Sequence, residues 1–446
     1  MADALLSGWG RAIWSRSDVQ RPTSSRQIAA AVIADQTTTI ARGLGRSYGD
    51  QATNAGGRVL DITEHANLPD PDLAGRITVY AGTSIDALLR HIVPMGWFVP
   101  VSPGTRHVTI GGAIAADIHG KNHHVHGTFC AHVESLDLVI GDGSTVACGP
   151  TERTELFWAT AGGLGLTGVI TEATIRLTPI ATSRLLVDTS RYTDLDGLIA
   201  SMVAADATAP YSVAWLDLMA RGQAGRSVLT TARFAEPQEL NHRDRSDPHG
   251  YDPNQRLAAP PWLPQGLLRT STVRAFNEAW FRASPVKRLN QVQSITRFFH
   301  PLDGIDGWNR IYGRHGFLQW QMVVPDGAEQ TLRRCIEGLT ASDAPCFLAV
   351  LKRFGPANEG PMSFPLAGWT LAADIPAMTR GISAELDYLD KAVVDAGGRI
   401  YLAKDARLDP QLVHAMYPRI DDWRHIRAQV DPDGRFMSDL ARRLAL

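Results

Sequence analysis

Glycine-rich segments in the first third of the chain have residue types and spacings that suit ligand binding. Residues 41–50 read Ala-Arg-Gly-Leu-Gly-Arg-Ser-Tyr-Gly-Asp and follow a β-type run at 37–40. Such a loop can turn successive backbone N–H groups to one side and form a concave site for a diphosphate. Its spacing is neither a Walker loop nor a GxGxxG that opens a long helix, so a tight surface turn is the alternative.

A second cluster of small residues lies at 103–120, after Pro103-Gly104-Thr105. Its small side chains leave little volume along one surface, which suits a flat aromatic cofactor. A helix packed closely on a sheet requires the same composition, so both interpretations stay open. The small residues are Gly111, Gly112, Ala113, Ala115 and Ala116.

One lysine is a candidate for proton transfer. Lys404 stands in Tyr-Leu-Ala-Lys-Asp-Ala-Arg, at the end of an expected apolar strand. Partial burial there would lower the pKa of the amine and let it accept a proton or hydrogen-bond a developing alkoxide. A surface ion pair with Asp405 or Asp409 is the alternative.

Two amide side chains are candidates for binding a polyhydroxylated ligand. Gln319 and Gln321 alternate with apolar residues in Phe-Leu-Gln-Trp-Gln-Met, so both face one side of an expected strand. Each amide offers a donor and an acceptor, which suits a sugar ring if that side faces a pocket. If it faces solvent, the two glutamines carry no function.

Four histidines lie within eight residues, at positions 119, 123, 124 and 126. This density raises the question of a metal site, but zinc sites need defined spacing and further ligands. We therefore expect no metal. We expect His119 to hydrogen-bond near a bound ligand and the other three to be solvated.

Composition indicates a large folded protein without a charge-driven partner. The 446 residues are 44% hydrophobic and 20% charged, with a net charge of -2, which argues against disorder and against a strongly basic nucleic-acid surface. Four cysteines without CxxC spacing make a disulfide framework improbable. No signal-like start or long apolar window is visible, so we expect a cytoplasmic or cell-envelope protein with at most peripheral membrane contact.

The order of short β-type runs and helical stretches predicts an α+β fold. The pattern changes near residue 181, where longer amphipathic segments and aromatic strands begin. A polar, Pro-rich stretch at about 236–270 predicts a long mobile loop. A helix at 383–396 is expected to end at Gly397-Gly398, followed by a strand at 399–405 and a helical tail.

These motifs together resemble a known flavoprotein group. The two glycine clusters and Ala-Gly-Gly-Leu-Gly-Leu-Thr-Gly-Val-Ile at 161–170 are similar to the FAD-binding domain of the vanillyl-alcohol-oxidase superfamily. Within it, the chain resembles the decaprenylphosphoryl-β-D-ribose 2'-oxidase family, the flavoprotein subunits of an epimerase. The further matching motifs span residues 103–124, 155–168, 299–313, 316–321, 401–407 and 414–423.

The resemblance implies a two-domain PCMH-type FAD-binding fold: an FAD domain at 1–181, an antiparallel-sheet substrate domain at 182–398 and a return to the FAD domain at 399–446. It implies FAD held without a covalent bond, because the first loop has no histidine. The implied FAD contacts are Ala41, Arg42, Gly43, Leu44, Gly45, Arg46, Ser47, Tyr48, Gly49, Asp50, Gln51, Gly104, Thr109, Ile110, Gly111, Gly112, Ala116, Asp117, Ile118, His119, Ile170 and Tyr401.

The implied reaction is oxidation of the ribose C2' hydroxyl of a prenyl-phosphoryl-β-D-ribofuranose to the 2'-keto sugar. An NADH-dependent short-chain reductase partner would complete epimerisation to the arabinose donor of cell-wall arabinan. A flavin oxidase of soluble sugars, polyols or aldonolactones is the alternative, as is an idle binding protein that keeps FAD structurally. Apolar residues at 260–264 and 267–268 would cover a lipid tail, unless that stretch is only a linker.

The resemblance gives Lys404 and His119 catalytic roles and implies a set of substrate contacts. Three of those contacts depart from the family pattern: Phe299 replaces a tyrosine, and Thr370 and Ala372 replace an asparagine and a cysteine. These changes concern the exact sugar and lipid carrier. The implied contacts are Tyr48, Lys121, Trp215, Phe299, Gln319, Gln321, Lys352, Phe354, Thr370 and Ala372.

Overall fold

The protein mixes helices with largely antiparallel sheets, which confirms the predicted α+β class. This computed structural model describes residues 2–63, 68–255, 257–260, 262 and 268–446. Among these residues, no helix is both long enough and apolar enough to cross a bilayer.

The N-terminal elements form two four-stranded sheets and a two-stranded one. The strand orders are β1-β2-β4-β3, β5-β9-β7-β8 and β10-β6. The elements are β1 (Ala2–Ser7), β2 (Trp14–Gln20), α1 (Ser25–Ile33), β3 (Thr39–Arg42), β4 (Arg58–Asp61), β5 (Arg76–Tyr80), α2 (Ile85–Ile92), β6 (Trp97–Phe98), α3 (Ile110–Ala115), α4 (His123–His126), β7 (Val133–Val139), β8 (Thr145–Cys148), α5 (Thr154–Thr160), β9 (Val169–Arg176) and β10 (Thr178–Pro179).

The middle of the chain builds an eight-stranded antiparallel sheet in the order β15-β11-β13-β12-β18-β19-β17-β20. The elements are β11 (Arg184–Tyr192), α6 (Leu195–Asp206), β12 (Tyr211–Leu216), β13 (Ser227–Phe234), α7 (His242–Ser246), β14 (Leu257–Ala258), α8 (Thr270–Ala283), β15 (Lys287–Ser294), α9 (Ile295–Phe299), β16 (Ile305–Asp306), β17 (Phe317–Pro325), α10 (Glu329–Ala341), β18 (Ala349–Phe354), β19 (Gly368–Pro376), α11 (Ile382–Asp395) and β20 (Arg399–Ile400).

Side-chain alternation gives the eight-stranded sheet one apolar face. Trp320, Met322 and Leu371 point to the same side of β17 and β19, where they pack with buried leucines of α10 and α11. Trp320 also donates from Nε1 to Asp390 on α11 at 2.7 Å. The helices therefore cover this face and leave the opposite face of the same strands for polar side chains.

The C-terminal tail consists of α12 (Val413–Met416), α13 (Ile420–Val430) and α14 (Asp439–Leu444). It contacts the N-terminal elements through Arg443, which forms an ion pair with Asp50 at 2.8 Å, and through Trp423, which donates to the Ala159 carbonyl at 2.9 Å. The division into domains at 181 and 398 stays a prediction.

The segment at about 236–270, expected to be a long mobile loop, contains short elements. A 3-10 turn at Pro237–Glu239, helix α7 and strand β14, which pairs with β16, lie within it. Hydrogen bonds anchor it as well, because Arg106 donates to the Pro253 carbonyl at 2.7 Å. Most of the apolar stretch expected to contact a lipid tail, Pro261 and residues 263–267, lies outside the described residues.

The expected strand at 399–405 is wrong beyond its first two residues. Pairing with β17 stops at Ile400, and Leu402–Lys404 forms a 3-10 turn instead. The Gln51 side chain donates to the carbonyls of Leu402 and Asp405 at 2.5 and 2.7 Å, and these bonds favour the turn over a continued strand.

Candidate functional site

Strand register gathers most of the predicted substrate contacts on one face of the eight-stranded sheet. Lys352 lies opposite Thr370, and Gln321 lies opposite Ala372. Trp215, paired with Val350, belongs to the same face because residues two apart on a strand point the same way. Phe354 follows Lys352 by two residues on this face. The polar face opposite α10 and α11 is thus the candidate site.

His119 links this sheet face to the segment after α3. Gln321 donates from Nε2 to His119 Nε2 at 2.9 Å and to Thr370 Oγ1 at 2.9 Å. The imidazole proton then sits on Nδ1, 3.3 Å from Lys352 Nζ. This geometry favours an uncharged Lys352, because its amine nitrogen must then accept a hydrogen bond from the Nδ1–H group. Burial acts in the same direction and lowers the pKa of both Lys352 and His119.

Lys404 lies beside Tyr48 of the first glycine-rich loop. Its Nζ is 5.4 Å from the centre of the Tyr48 ring, and burial lowers the pKa of this amine below its usual range. The alternative ion pairs are not formed: Asp405 pairs with Arg443 at 2.8 Å, and Asp409 accepts from the Gln411 amide at 2.9 Å. This position and the lowered pKa fit the predicted role of Lys404 as a base, and that role stays a prediction.

Asp374 is a site residue that the sequence analysis missed. It lies opposite Gln319 in the β17–β19 register, is fully buried and accepts a hydrogen bond from Gln319 Nε2. Burial raises the pKa of this carboxyl, while the neighbouring Lys404 acts in the opposite direction. The signal was present in the sequence, because Thr370, Ala372 and Asp374 occupy alternate positions of one strand.

Two amide oxygens on the polar face are buried without a protein partner. Within the described part of the chain, Oε1 of Gln319 and Oε1 of Gln321 accept no hydrogen bond. A buried carbonyl oxygen left unpaired is unfavourable unless a ligand or water supplies a donor. The pair is therefore suited to accept hydrogen bonds from the hydroxyl groups of a sugar.

Lys121 and Phe299 lie at one border of the site. Lys121 Nζ donates to the Phe298 carbonyl and lies 4.2 Å from the Phe298 ring centre, and burial lowers its pKa to about 7. Phe299 is 1% exposed and packs with Phe98 and Tyr211, with ring centres 5.1 and 5.0 Å apart. Phe299 therefore lies in the aromatic core behind Lys121, where a substrate contact would require it to move.

The first glycine-rich loop has the properties of an anion cradle. The backbone N–H groups of residues 43–47 have no hydrogen-bond acceptor among the described residues. A side chain at Gly43 would lie 2.2 Å from Thr109 Oγ1, and Gly45 has a φ of +61°. A side chain at Gly104 would meet nothing within 4 Å. The unpaired amides and close backbone approach fit the diphosphate of a dinucleotide.

Some predicted FAD contacts already have protein partners. Asp50 binds Arg443, Gln51 binds two carbonyls of the 402–405 turn, and Asp117 accepts from Asn358 and Ser363, each at 2.6 Å. These side chains hold the loops in place. Their contact with FAD stays a prediction.

The small residues of α3 serve both interpretations left open by the sequence. A side chain at Gly111 would lie 2.9 Å from the Ala81 side chain, so this glycine permits close packing of α3 on β5. At the other end of α3, Tyr401 donates to the Ala116 carbonyl at 2.7 Å and stacks on Phe364 at 4.5 Å. Thr109 caps the helix; Ile110, Ile118 and Ile170 are buried nearby in the same core.

The expectation that the other three histidines are solvated is wrong for two of them. His123 is 2% exposed, packs on Phe354 at 4.5 Å and accepts a hydrogen bond from the Gly355 amide at 3.1 Å. His124 lies 3.6 Å from Asp206, with its side chain 7% exposed. In the described ranges, no group of three or more His, Cys, Asp or Glu side chains is arranged to hold a metal ion.

Burial of His123 predicts a pH-dependent stability. Its pKa falls from 6.5 to about 3 in the folded protein, chiefly through burial. Below about pH 6.5 the unfolded chain takes up a proton that the folded chain does not, so the free energy of unfolding decreases as the pH is lowered. We expect His123→Gln to remove between about 1 and about 2 kcal/mol of the loss of stability measured by urea unfolding between about pH 6.5 and about pH 5.

The matched control for this experiment is the exposed His425 on α13. His425→Gln should retain the wild-type pH dependence. An H123Q protein that loses as much stability as the wild type over the same interval would show that His123 is not held neutral in the fold.

Comparisons with known proteins agree with this geometry. A family described as "FAD binding domain" matches residues 18–149, and one described as "D-arabinono-1,4-lactone oxidase" matches residues 386–444. Decaprenylphosphoryl-β-D-ribose oxidase from Mycolicibacterium smegmatis is 42% identical over 99% of this chain and 97% of that protein. Alditol oxidase from a Streptomyces species is 24% identical over 100% of this chain and 99% of that protein. Cytokinin dehydrogenase 5 from Oryza sativa is 35% identical over 31% of this chain and 28% of that protein.

The matched FAD-binding family includes the first loop and α3, so the cofactor of this chain is FAD. Its attachment stays a prediction. Residues 41–51 contain no histidine to form a covalent bond, so acid precipitation should release the yellow cofactor into the supernatant. A pellet that remains yellow after washing in denaturant would contradict a dissociable FAD.

Proposed function

The chain belongs to the decaprenylphosphoryl-β-D-ribose oxidase family of FAD-dependent oxidoreductases, and we propose that it oxidises the C2' hydroxyl of a prenyl-phosphoryl-β-D-ribofuranose to the 2'-keto sugar. One observation carries most of the proposal: His119 follows the small-residue helix of the FAD-binding region and is hydrogen-bonded by Gln321 of the polar sheet face. A sugar on that face would lie between the two.

FAD, when bound, supplies the acceptor for the hydride that leaves C2'. The protein has to take the hydroxyl proton and orient the ring. Lys404 is suited to take the proton because burial lowers the pKa of its amine. The unpaired Oε1 atoms of Gln319 and Gln321 are suited to accept hydrogen bonds from neighbouring hydroxyls. Asp374 fixes Gln319, and Thr370 fixes Gln321.

The phosphate of the substrate would bind at the two remaining amines of the site. Lys352 and Lys121 are both half-buried, and desolvation lowers the pKa of each. A nearby phosphate favours the charged form of an amine, so we expect both lysines to take up protons when the phosphate binds. Proton uptake by these lysines would strengthen the binding of a phosphorylated sugar.

The replacements at the substrate positions bear on which sugar lipid is accepted. Thr370 is fully buried, donates from Oγ1 to the Met322 carbonyl at 2.8 Å and orients Gln321. Ala372 lies opposite Gln321 and contributes no polar atom. Thr370 therefore keeps one hydrogen-bonding role at a position where the family has an amide, while Ala372 leaves more volume.

The 2'-keto product requires a second enzyme. Inversion at C2' needs hydride to return from the opposite side of the ring, and an NADH-dependent short-chain reductase is the partner that such a step calls for. The expected end product is the corresponding arabinose lipid, a donor for arabinan synthesis.

A stopped-flow substrate panel tests the proposal. Under anaerobic conditions, prenyl-phosphoryl ribose should bleach the visible flavin band at a rate at least as high as kcat. Free alditols and aldonolactones should bleach it at least about tenfold more slowly. Faster bleaching by free alditols would favour the second candidate function, which the alditol oxidase similarity supports. A flavin that no member of the panel reduces would indicate a structural FAD.

A further inference from the structure

Helix α8 presents an unusual outer face. Its buried side is small and consists of Val273 and Asn277. Its solvent side carries two large aromatics: Phe276 and Trp280 are each 51% exposed and stack with ring centres 6.4 Å apart. We call this surface the α8 face; it comprises Ala275, Phe276, Ala279, Trp280 and Ala283, all exposed. A helix of a globular domain normally turns such residues inward, so a contiguous exposed stripe indicates an interaction surface.

The segment that carries the α8 face is rich in basic residues, one of which, Arg274, pairs with Asp343. Residues 269–297 contain six arginines and lysines and one acidic residue, in a chain whose net charge is -2. The single acidic residue, Glu278, is already bound to Arg226 and Arg282. Lys287 and Arg288, just beyond the helix, are exposed and have no ion pair among the described residues. Val286, which precedes them in the sequence, is 68% exposed.

An aromatic path connects this face with the candidate site. The Phe276 ring lies 6.3 Å from Phe347, which lies 6.0 Å from Tyr312. Tyr312 stacks on Phe317 at 4.0 Å, and Phe317 lies 5.5 Å from Tyr48 beside Lys404. Trp215, a predicted substrate contact, donates to the Phe347 carbonyl at 3.0 Å. A chain of ring contacts therefore links the α8 face to Tyr48 beside the polar face.

We propose that the α8 face docks the enzyme on an anionic phospholipid bilayer, with Phe276 and Trp280 in the interface and Lys287 and Arg288 against lipid phosphates. Aromatic side chains partition into the bilayer interface, and basic residues are attracted to anionic headgroups. Docking here would place the aromatic path at the membrane surface, where the tail of a prenyl-linked sugar lies. This last step rests on the proposed function, whereas the docking itself does not.

Vesicle sedimentation with the FAD-bound enzyme tests the proposal. We expect it to sediment with vesicles of phosphatidylcholine and phosphatidylglycerol and at least about tenfold less with phosphatidylcholine alone. The double variant Phe276→Ser/Trp280→Ser and the double variant Lys287→Glu/Arg288→Glu should each reduce the partition coefficient about tenfold or more. Raising salt from about 0.1 M to about 1 M, which shortens the Debye length from about 10 Å to about 3 Å, should release the wild type.

The matched control is Tyr388→Ser, which removes an exposed aromatic from α11 and should leave vesicle binding unchanged. Wild type that sediments with neither vesicle would overturn the proposal, as would patch variants that sediment like wild type. A third outcome would also overturn the proposal: no sample binds vesicles, and light scattering shows a wild-type dimer that the aromatic substitutions dissociate. The α8 face would then be an interface between two copies of the chain.

A second readout separates this proposal from the proposed function. Detergent-solubilised prenyl-phosphoryl ribose should bleach the flavin of all variants at the wild-type rate, whereas the same lipid in anionic vesicles should bleach the patch variants about tenfold more slowly. Vesicle binding without any bleaching would leave the docking supported and the proposed substrate wrong. Equal bleaching of wild type and patch variants in vesicles would contradict docking even if the substrate is right.

Discussion

Replacing Lys404 with methionine should reduce kcat by about a hundredfold or more while FAD remains bound. The methionine keeps the length and apolar stem of the side chain but removes the amine that lies beside Tyr48. Without a base, the hydroxyl proton has no acceptor when C2' is oxidised. Rapid-mixing measurement of flavin bleaching gives the rate, and the absorbance of the purified protein gives the FAD content.

The pH profile distinguishes loss of a base from loss of structure. Burial lowers the pKa of Lys404, so the wild-type kcat/KM should rise with pH through a limb that lies below the usual lysine value of about 10.4. This limb should be absent in K404M. Lys391→Met, at an exposed position of α11, is the matched control and should retain both rate and profile. A K404M enzyme with full turnover would remove Lys404 from the mechanism.

Replacing Arg443 with alanine should lower the free energy of unfolding by about 3 kcal/mol and weaken FAD binding. Arg443 is the shared partner of Asp50 in the first loop and Asp405 after the 402–404 turn, both at 2.8 Å. Both carboxylates are at most 5% exposed, so the alanine variant leaves two buried charges without their cation. Urea unfolding measures the stability, and fluorescence titration of the apoprotein measures the affinity for FAD.

Arg424→Ala is the matched control for this experiment. Arg424 also lies in the C-terminal tail, but its ion pair with Asp421 is largely exposed on both sides. Exposed pairs contribute little, so this variant should lose less than about 1 kcal/mol and bind FAD like wild type. If R443A and R424A proved equally stable and bound FAD equally well, the C-terminal tail would have no part in holding the first loop.

Local sequence patterns predicted the features that depend on neighbouring residues. The glycine-rich loop, the helix at 382–395 and the common face of Gln319 and Gln321 follow from glycine content, helical periodicity and strand alternation. Each is set by φ/ψ preferences or by a two- or four-residue period. The structure adds the positions of these features relative to one another.

The features that could not be predicted depend on pairing between distant segments. Asp374 enters the site only through its register with Gln319, and the strand expected at 399–405 gives way to a turn held by Gln51, about 350 residues earlier. Phe299 turns into an aromatic core because α9 buries it against β12 and β6. The periodicity of hydrophobic residues within one segment contains no information about such contacts.

The position of the leaving hydrogen is the most direct test of the proposed reaction. Flavin reduction should be followed under single-turnover conditions with prenyl-phosphoryl ribose that carries deuterium at C1', C2' or C3'. The proposed reaction breaks the C2'–H bond, so it predicts a primary isotope effect with deuterium at C2' alone. An isotope effect that follows C1' or C3', with none at C2', would contradict oxidation of the C2' hydroxyl.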